Sequence, residues 1–164
     1  MRILLDTDVL LDVALAREPF VADSADVLRW AESGGAAAVA WHSLTNCAYL
    51  LKDGGRPFLE RLLRLVEVAP VATADARRAL DLPLSDVEDA FQAAAALAWQ
   101  ADVIVTRNVS DYRRSPVRAL SPAAFLKHAA TRSAWMPLKL ASGPGVTPAY
   151  CRTPGFPASN TWSN

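Results

Sequence analysis

The sequence contains few cysteines and no long apolar run, and each scarcity argues against a class of protein. There are two cysteines in 164 residues. Cys47 and Cys151 lie far apart, so we expect neither a disulfide framework nor a cysteine metal site. No uninterrupted apolar stretch reaches the ~20 residues that cross a bilayer. The first residues read as a strand rather than a secretory leader. We therefore expect a cytoplasmic protein with no membrane partner.

The chain also lacks an excess of charge of one sign. Seventeen Lys and Arg balance seventeen Asp and Glu, so net charge does not indicate a nucleic-acid binder. A local basic surface remains open. There is no P-loop and no Gly-rich dinucleotide motif. Ser43 and Cys47 have no matched base, and His42 and His128 lack ligand spacing. Covalent catalysis and a histidine metal site therefore have no support.

Apolar residues are abundant, at 52% of the chain, which is enough for the core of one domain. Strand patterns are found at 3–5, 36–41, 66–71, 103–106 and 117–120. Helical patterns are found at 21–33, 42–52, 57–65, 73–80, from 85 to about 99, and 121–128. This alternation predicts an α/β fold, a three-layer α/β/α sandwich around a mainly parallel sheet, over residues 1–130. Residues 131–164 are rich in proline, and we interpret them as a poorly ordered tail.

The most informative feature is a carboxylate that ends the first buried strand. Ile3–Leu5 runs directly into Asp6, and Asp8 follows two residues later. Residues two apart in a strand point to the same side. Buried acids are costly unless a cation neutralises them. The pattern therefore predicts a metal site at the carboxyl end of this strand. Asp12, further along, is expected at a helix start or on the surface.

Two further polar segments lie where they can join the first. One comprises Asp86, Glu88 and Asp89 at the start of a long apolar helix, and the other comprises Asn108 and Asp111 after a strand. In open parallel sheets, ligand sites gather at the carboxyl ends of the strands. Oxygen ligands without His or Cys suit Mg²⁺ or Mn²⁺, and such ions promote phosphodiester hydrolysis.

Structural roles remain open for several of these acids. Ser85 is expected to cap the long helix, with Glu88 completing a capping box. Asp86 and Glu88 would stabilise the same helix end through its dipole. Asp111 would be suited to capping a turn. Asp89 is harder to explain in this way, because the helix becomes apolar immediately after it.

The three motifs, in this order, resemble the PIN domain family, especially its VapC-like toxin ribonucleases. The motifs are Asp-Thr-Asp at 6–8, Asp-Val-Glu-Asp-Ala at 86–90 and Val-Thr-Arg-Asn-x-x-Asp-Tyr at 105–112. The similarity covers residues 1–130. It implies a three-layer α/β/α fold and RNA hydrolysis with Mg²⁺ or Mn²⁺. It also implies an RNA substrate, a small antitoxin as partner and a homodimer.

The resemblance also implies a set of site residues. The implied catalytic residues are Asp6, Asp8, Asn46, Asp89, Asn108 and Asp111. The implied metal ligands are Asp6, Asp89 and Asp111, and we expect Asp86 beside them as a further ligand that positions ions or water. Asn46 stands where the family commonly has Glu, and Asn108 where many members have Asp. The site would then hold fewer negative charges and bind metal more weakly, unless Asp86 and Glu88 compensate.

Two other interpretations of the motifs remain open. The two asparagines favour a PIN scaffold that binds nucleic acid or protein with little catalysis. A flavodoxin-like phosphoacceptor is less well supported, because no Lys follows the strand at 103–106. Arg107, Arg113 and Arg114 would either hold RNA phosphates or be ordinary surface charges.

Overall fold

Five short strands form the centre of the fold. They are β1 (Arg2–Leu5), β2 (Ala36–Val39), β3 (Glu67–Val68), β4 (Val103–Val105) and β5 (Arg118–Leu120). All neighbouring strands pair in parallel, in the order β3-β2-β1-β4-β5. β1 is therefore the middle strand, and its carboxyl end lies between those of β2 and β4.

The structure is a computed structural model, and it describes residues 1–132. The predicted tail at 131–164 lies almost entirely outside the described residues, so the domain boundary at residue 130 stays a prediction. Within residues 1–132, no helix is both long and apolar enough to cross a membrane.

Helices cover both faces of the sheet. They are α1 (Thr7–Ala14), α2 (Val21–Glu32), α3 (Trp41–Leu51), α4 (Gly55–Leu62), α5 (Thr73–Asp81), α6 (Val87–Ala98) and α7 (Pro122–Arg132), with a 3-10 turn at Lys52–Gly54. On one face, Ile3 and Leu5 pack with side chains of α1–α4 and α7. On the other face, Leu4 packs with the alanine-rich side of α6, and α5 packs against α6. The predicted three-layer sandwich with a parallel sheet is confirmed.

The burial of β1 explains why the chain folds around it. Ile3, Leu4 and Leu5 have no exposed surface. Complete burial of an aliphatic side chain contributes about 1.5–3 kcal/mol. A strand that is buried on both faces reads as a continuous apolar run, which is typical of parallel sheets. The same burial holds Asp6, the next residue, at the edge of the core.

Two helix starts differ from the sequence prediction. α1 begins at Thr7, because the carboxylate of Asp6 caps it by accepting a hydrogen bond from the Thr7 N–H. Asp12 therefore lies inside α1 and is fully buried, so its prediction as a helix-start or surface residue is wrong. α6 is capped by Asp86 and not by Ser85. Both residues are good caps, and sequence alone does not fix the register between them.

Candidate functional site

Asp6 lies where β1 ends and α1 begins. Its backbone N–H donates to the carbonyl oxygen of Val105 at 3.0 Å, which ties the ends of β1 and β4 together. Its side chain accepts from the Thr7 N–H at 2.6 Å. Burial, followed by repulsion from Asp8, raises the pKa of the Asp6 carboxyl to about 7. A neighbouring cation would favour the ionised form of this carboxyl.

Tyr112 connects Asp6 to the acid of the long helix. Its hydroxyl donates to Oδ2 of Asp6 at 3.3 Å and also interacts with the carboxylate of Asp89. Burial, and then the charges of Asp86 and Asp111, raise the pKa of Asp89. The charge of Asp89 thus acts on Asp6, and the charge of Asp111 acts on Asp89.

Tyr112 itself is a site residue that the sequence reasoning left without a role. Its side chain is buried, and burial raises the pKa of its phenol, so the hydroxyl remains a hydrogen-bond donor. The available signal was its position directly after Asp111. A buried tyrosine hydroxyl normally finds a polar partner, and here the partners are carboxylates.

Asp8 points toward the loop after β4. Its Oδ2 accepts from the backbone N–H of Arg107 at 2.9 Å and from the Thr106 hydroxyl at 3.3 Å. Its Oδ1 is buried and has no hydrogen-bond partner among the described residues. Burial raises the pKa of Asp8, while the contacts with Arg107 oppose that rise. Asp8 thus connects the start of α1 to the loop after β4, which carries Asn108 and Asp111.

Arg107 faces inward and forms ion pairs with two acids of α1. Its Nε lies 3.6 Å from Oδ2 of Asp8 and 3.2 Å from Oδ2 of Asp12. The guanidinium also lies over the ring of Phe20, 4.5 Å from its centre. Arg107 is therefore paired with acids of α1, and its contact with an RNA phosphate stays a prediction. Asp12, a second residue that sequence reasoning missed, also accepts from the Ser24 hydroxyl at 3.2 Å.

A chain of hydrogen bonds through Thr7, Ser43 and Gln92, called the buried relay below, holds α3 and α6 beside β1. The Thr7 hydroxyl donates to Oγ of Ser43 at 2.9 Å, and the Ser43 hydroxyl donates to Oε1 of Gln92 at 3.3 Å. Nε2 of Gln92 donates to the backbone carbonyl of Leu5 at 3.0 Å. Buried polar groups are tolerated when they are hydrogen-bonded in this way. The relay holds both helices against the strand that ends on Asp6.

Two predicted site residues make local contacts at the start of α6. Oδ1 of Asp86 accepts from the N–H groups of Glu88 at 2.7 Å and Asp89 at 3.3 Å, so this oxygen is engaged in capping. Nδ2 of Asn46 donates to Oε1 of Glu88 at 2.6 Å. The side chain of Asn46 is therefore directed toward an acid of α6.

Hydrogen bonds within residues 106–111 determine the shape of the loop after β4. The N–H of Asn108 donates to Oγ1 of Thr106 at 3.0 Å, and the N–H of Asp111 donates to the carbonyl of Asn108 at 3.0 Å. Asp111 is exposed, and the Ser110 hydroxyl donates to its Oδ1 at 3.1 Å. These turns direct the segment back toward α6 and place Asp111 at the rim of the site.

A cavity of about 430 Å³ adjoins this rim. Its lining residues come from the loop before α6 and from the loop after β4: Pro83, Leu84, Ser85, Ser110, Asp111, Arg113 and Arg114. Arg113 and Arg114 are exposed, in contrast to Arg107. Two exposed guanidinium groups beside acidic side chains can bind phosphate groups next to the acids.

The acidic side chains of the site are of the chemical type that binds divalent cations. Asp6, Asp8 and Asp89 offer oxygen atoms, their pKa values are raised by burial, and Oδ1 of Asp8 is an orphaned buried acceptor. Mg²⁺ and Mn²⁺ prefer such oxygen ligands. In the part of the chain that the structure describes, no three acidic, His or Cys side chains are grouped closely enough to hold a metal. The acids therefore match a divalent ion in charge and donor type, but within residues 1–132 they do not form a preformed group of three ligands.

Comparison with known proteins places this geometry in context. The sequence profile of a family described as PIN domain matches residues 2–110. No curated protein sequence matches the chain. Several solved structures have a similar fold, and three of them are from Rickettsia felis, Klebsiella pneumoniae and Neisseria gonorrhoeae.

The first is VapBC2 from Rickettsia felis bound to a DNA fragment from their promoter, with a TM-score of 0.60 and 16% identity, covering 74% of this chain and 98% of that one. The second is a toxin–antitoxin complex from Klebsiella pneumoniae, with a TM-score of 0.57 and 18% identity, covering 73% and 96%. The third is FitAcB from Neisseria gonorrhoeae, with a TM-score of 0.54 and 15% identity, covering 74% and 98%. At these identities the likeness establishes the fold.

Proposed function

Because the chain belongs to the PIN domain family, as its motifs indicated, we propose that it is a divalent-metal-dependent ribonuclease and the toxin of a toxin–antitoxin pair. The family membership supports a nuclease. The similar structure described as a toxin–antitoxin complex supports an antitoxin as partner. RNA as the substrate and the need for a metal go beyond these comparisons and depend on the site.

The observation that carries the proposal is the contact of one tyrosine with two acids. The Tyr112 hydroxyl donates to Asp6 at the end of β1 and interacts with Asp89 in the first turn of α6. Two carboxylates with raised pKa values at the carboxyl edge of a parallel sheet suit cation binding. We propose that Asp6, Asp89 and Asp111 hold Mg²⁺ or Mn²⁺. Asp86 would contribute through the oxygen that does not cap α6.

The roles of the remaining residues follow from their contacts. When bound, the metal activates water and neutralises charge on the phosphodiester. Asp8 positions the loop that carries Asn108 and Asp111, through the N–H of Arg107. Arg113 and Arg114 bind the phosphates on either side of the scissile bond, from the adjoining cavity.

The proposed protein partners require exposed apolar surface, and α3 provides it. Trp41, Tyr49 and Leu50 on this helix are 64%, 82% and 51% exposed. Large exposed apolar side chains on one element are typical of interaction surfaces. We propose that a small antitoxin or a second copy of the chain covers part of α3.

A direct test compares RNA with DNA of the same sequence. Purified protein is stripped with a chelator and then assayed with and without Mn²⁺, beside Asp6→Ala. We expect Mn²⁺ to restore cleavage by the wild type and not by Asp6→Ala. The substrate that is cleaved should be RNA and not the DNA of the same sequence. Equal cleavage by both proteins, or cleavage that persists after chelation, would overturn the proposal.

One observation favours a second candidate function, a PIN scaffold that binds RNA or protein without cleaving it. No preformed group of three metal-binding side chains lies within residues 1–132. RNA binding without Mn²⁺-dependent cleavage, under conditions where the protein is folded, would support this alternative.

A further inference from the structure

The cavity beside the acids has two walls of different chemistry. One wall belongs to the loop before α6 and carries no charged side chain: Pro83, Leu84 and Ser85. The other wall belongs to the loop after β4 and carries the charged side chains of the lining: Asp111, Arg113 and Arg114, next to Ser110. A ligand that matches both walls therefore has an uncharged part and an anionic part.

Both walls are attached to the hydrophobic core. Leu84 is partly buried and packs against the alanine-rich side of α6. On the opposite wall, Tyr112 is buried and its backbone carbonyl accepts from the Ser115 N–H at 2.9 Å. The Arg113 N–H donates to the Ser110 carbonyl at 3.4 Å, which forms a second turn in the same loop. The cavity of about 430 Å³ is thus preformed and has the size of a small-molecule site, about 300–1,000 Å³.

The uncharged wall offers both an apolar surface and a hydroxyl group. Asp86, and not Ser85, caps α6, so the helix does not use the Ser85 side chain. Ser85 is exposed and lines the cavity. A serine hydroxyl both donates and accepts hydrogen bonds, which suits the polar edge of a nucleobase. Pro83 and Leu84 provide the kind of apolar surface on which the face of a base packs.

The charged wall connects the cavity to the acidic site. Asp111 lines the cavity, and its charge acts on Asp89. Arg113 and Arg114 are exposed on the same wall, and guanidinium groups bind phosphate. A phosphate on this wall lies beside the acids, and the nucleoside attached to it extends toward the uncharged wall.

We propose that the cavity is the subsite for one unpaired nucleotide of the RNA, next to the scissile phosphate, and that Ser85 is a specificity-determining residue that contacts the edge of its base. This inference rests on the proposed ribonuclease function and names the part of the substrate that the site selects. The base lies against Pro83 and Leu84. The nucleotide is unpaired, because a base must leave its helix to be bound on its face and its edge.

The test is an NMR titration of the isotope-labelled full-length chain in chelator, which requires no cleavage. The probes are the four ribonucleoside monophosphates and inorganic phosphate. We expect at least one nucleotide to bind about fivefold more tightly than phosphate or better, since this is the lower end of what one stacked base contributes. The amide signals of residues 83–85 and 110–114 should shift. Equal affinity for phosphate and for every nucleotide would overturn the proposal.

Two variants at Ser85 test the uncharged wall. Ser85→Trp fills the cavity, and we expect it to abolish the preference for a nucleotide over phosphate. Ser85→Ala removes only the hydroxyl and should weaken binding of the preferred nucleotide about two- to tenfold, as for the loss of one hydrogen bond, without changing phosphate binding. Nucleotide binding that is unchanged in both variants would overturn the proposal.

The matched controls are Ser33→Trp and Ser33→Ala. Ser33 is exposed and lies between α2 and β2, at the amino edge of the sheet, whereas the cavity adjoins the carboxyl edge. We expect both control variants to bind nucleotides as the wild type does. Circular dichroism checks that each variant is folded.

Cleavage of a randomised RNA with Mn²⁺ separates this inference from the proposed function. The wild type should prefer one base at a position beside the cut, and Ser85→Ala should reduce that preference. Cleavage with an undiminished preference in Ser85→Ala would overturn the role of Ser85 and leave the ribonuclease in place. Nucleotide binding at residues 83–85 by a wild type that cleaves no RNA would support the subsite and overturn the proposed ribonuclease activity.

Discussion

The Nε atom of Arg107 lies 3.2 Å from Oδ2 of Asp12, a carboxylate with no exposed surface. Asp12 belongs to α1, and Arg107 follows β4, so the ion pair connects α1 to the loop after β4. Asp8, one turn before Asp12, binds the backbone N–H of the same arginine. The loop that carries Asp111 is thereby anchored to the helix that Asp6 caps.

Removal of Arg107 should destabilise the protein more than removal of a surface arginine. Arg107→Met leaves Asp12 and Asp8 without their cation, and an unpaired buried charge costs about 3–5 kcal/mol. The double variant with Asp12→Asn should recover part of this loss. Urea unfolding measures the free energy of unfolding, and Arg113→Met, at an exposed position, is the control with an expected change under about 0.5 kcal/mol. Equal effects of both arginine variants would contradict the anchoring role.

The buried relay predicts a second stability effect. Gln92→Leu removes the donor to the Leu5 carbonyl and the acceptor for Ser43. A buried polar group that is left unsatisfied costs about 1–3 kcal/mol, so we expect a loss of this size in urea unfolding. Adding Ser43→Ala to Gln92→Leu removes the orphaned Ser43 hydroxyl but also the acceptor of the Thr7 hydroxyl, so we expect at most a partial recovery. A Gln92→Leu variant as stable as the wild type would contradict the relay.

Asp6 should make the stability of the metal-free protein depend on pH. Its pKa is raised from 3.8 to about 7 by burial and by the charges of Asp8 and Asp89. Below about pH 4 the carboxyl is protonated in both states, and its stabilising contribution is fully present. As pH rises toward about 7, the unfolded state loses this proton first, so the contribution declines; above that it is lost.

The measurement is the urea midpoint in chelator between about pH 5 and about pH 8. Asp6→Asn is neutral throughout and should show a flatter profile than the wild type. Tyr112 and Asp89 face the same carboxyl, so Asp89→Asn should also flatten the profile, to a smaller extent. Parallel profiles for the wild type and Asp6→Asn would contradict the raised pKa.

Tyr112→Phe tests the contact between the two acids without changing shape. A single hydrogen bond contributes about 0.5–1.5 kcal/mol, so stability should change by no more than this. RNA cleavage should fall by up to about tenfold, because 1.4 kcal/mol corresponds to a tenfold rate change. Cleavage assays at saturating Mn²⁺, together with urea unfolding, provide both numbers. Cleavage equal to that of the wild type would show that the hydroxyl has no role in the reaction.

The fold could be predicted from the sequence because each layer has a local signature. The buried run Ile3–Leu5 and the alanine-rich face of α6 both read directly from apolar patterns. The start of α6 was misplaced by one residue, since Ser85 and Asp86 are equally good caps. Burial of Asp12 was missed, although its spacing of four residues from Asp8 places both on one helix face.

The contacts that organise the site could not be predicted in the same way. Asn46 and Glu88 are 42 residues apart in sequence, and Tyr112 and Asp6 are 106 apart. Such pairs depend on how helices pack on the sheet, which periodicity does not specify. The ion pairs of Arg107 with Asp8 and Asp12 could not be predicted for the same reason, because these acids are distant from it in sequence.

The central claim is that Asp6 and Asp89 act together as the metal-dependent centre for RNA cleavage. The most direct measurement is the rate of RNA cleavage against Mn²⁺ concentration for the wild type, Asp6→Asn and Asp89→Asn. The control is Asp53→Asn, which removes an exposed negative charge in the 3-10 turn after α3. We predict that both site variants lose at least about 100-fold in rate, as when a charge-stabilising group is removed, while remaining folded. The control should match the wild type. Cleavage by Asp89→Asn at the wild-type rate, with the same Mn²⁺ dependence, would contradict the account.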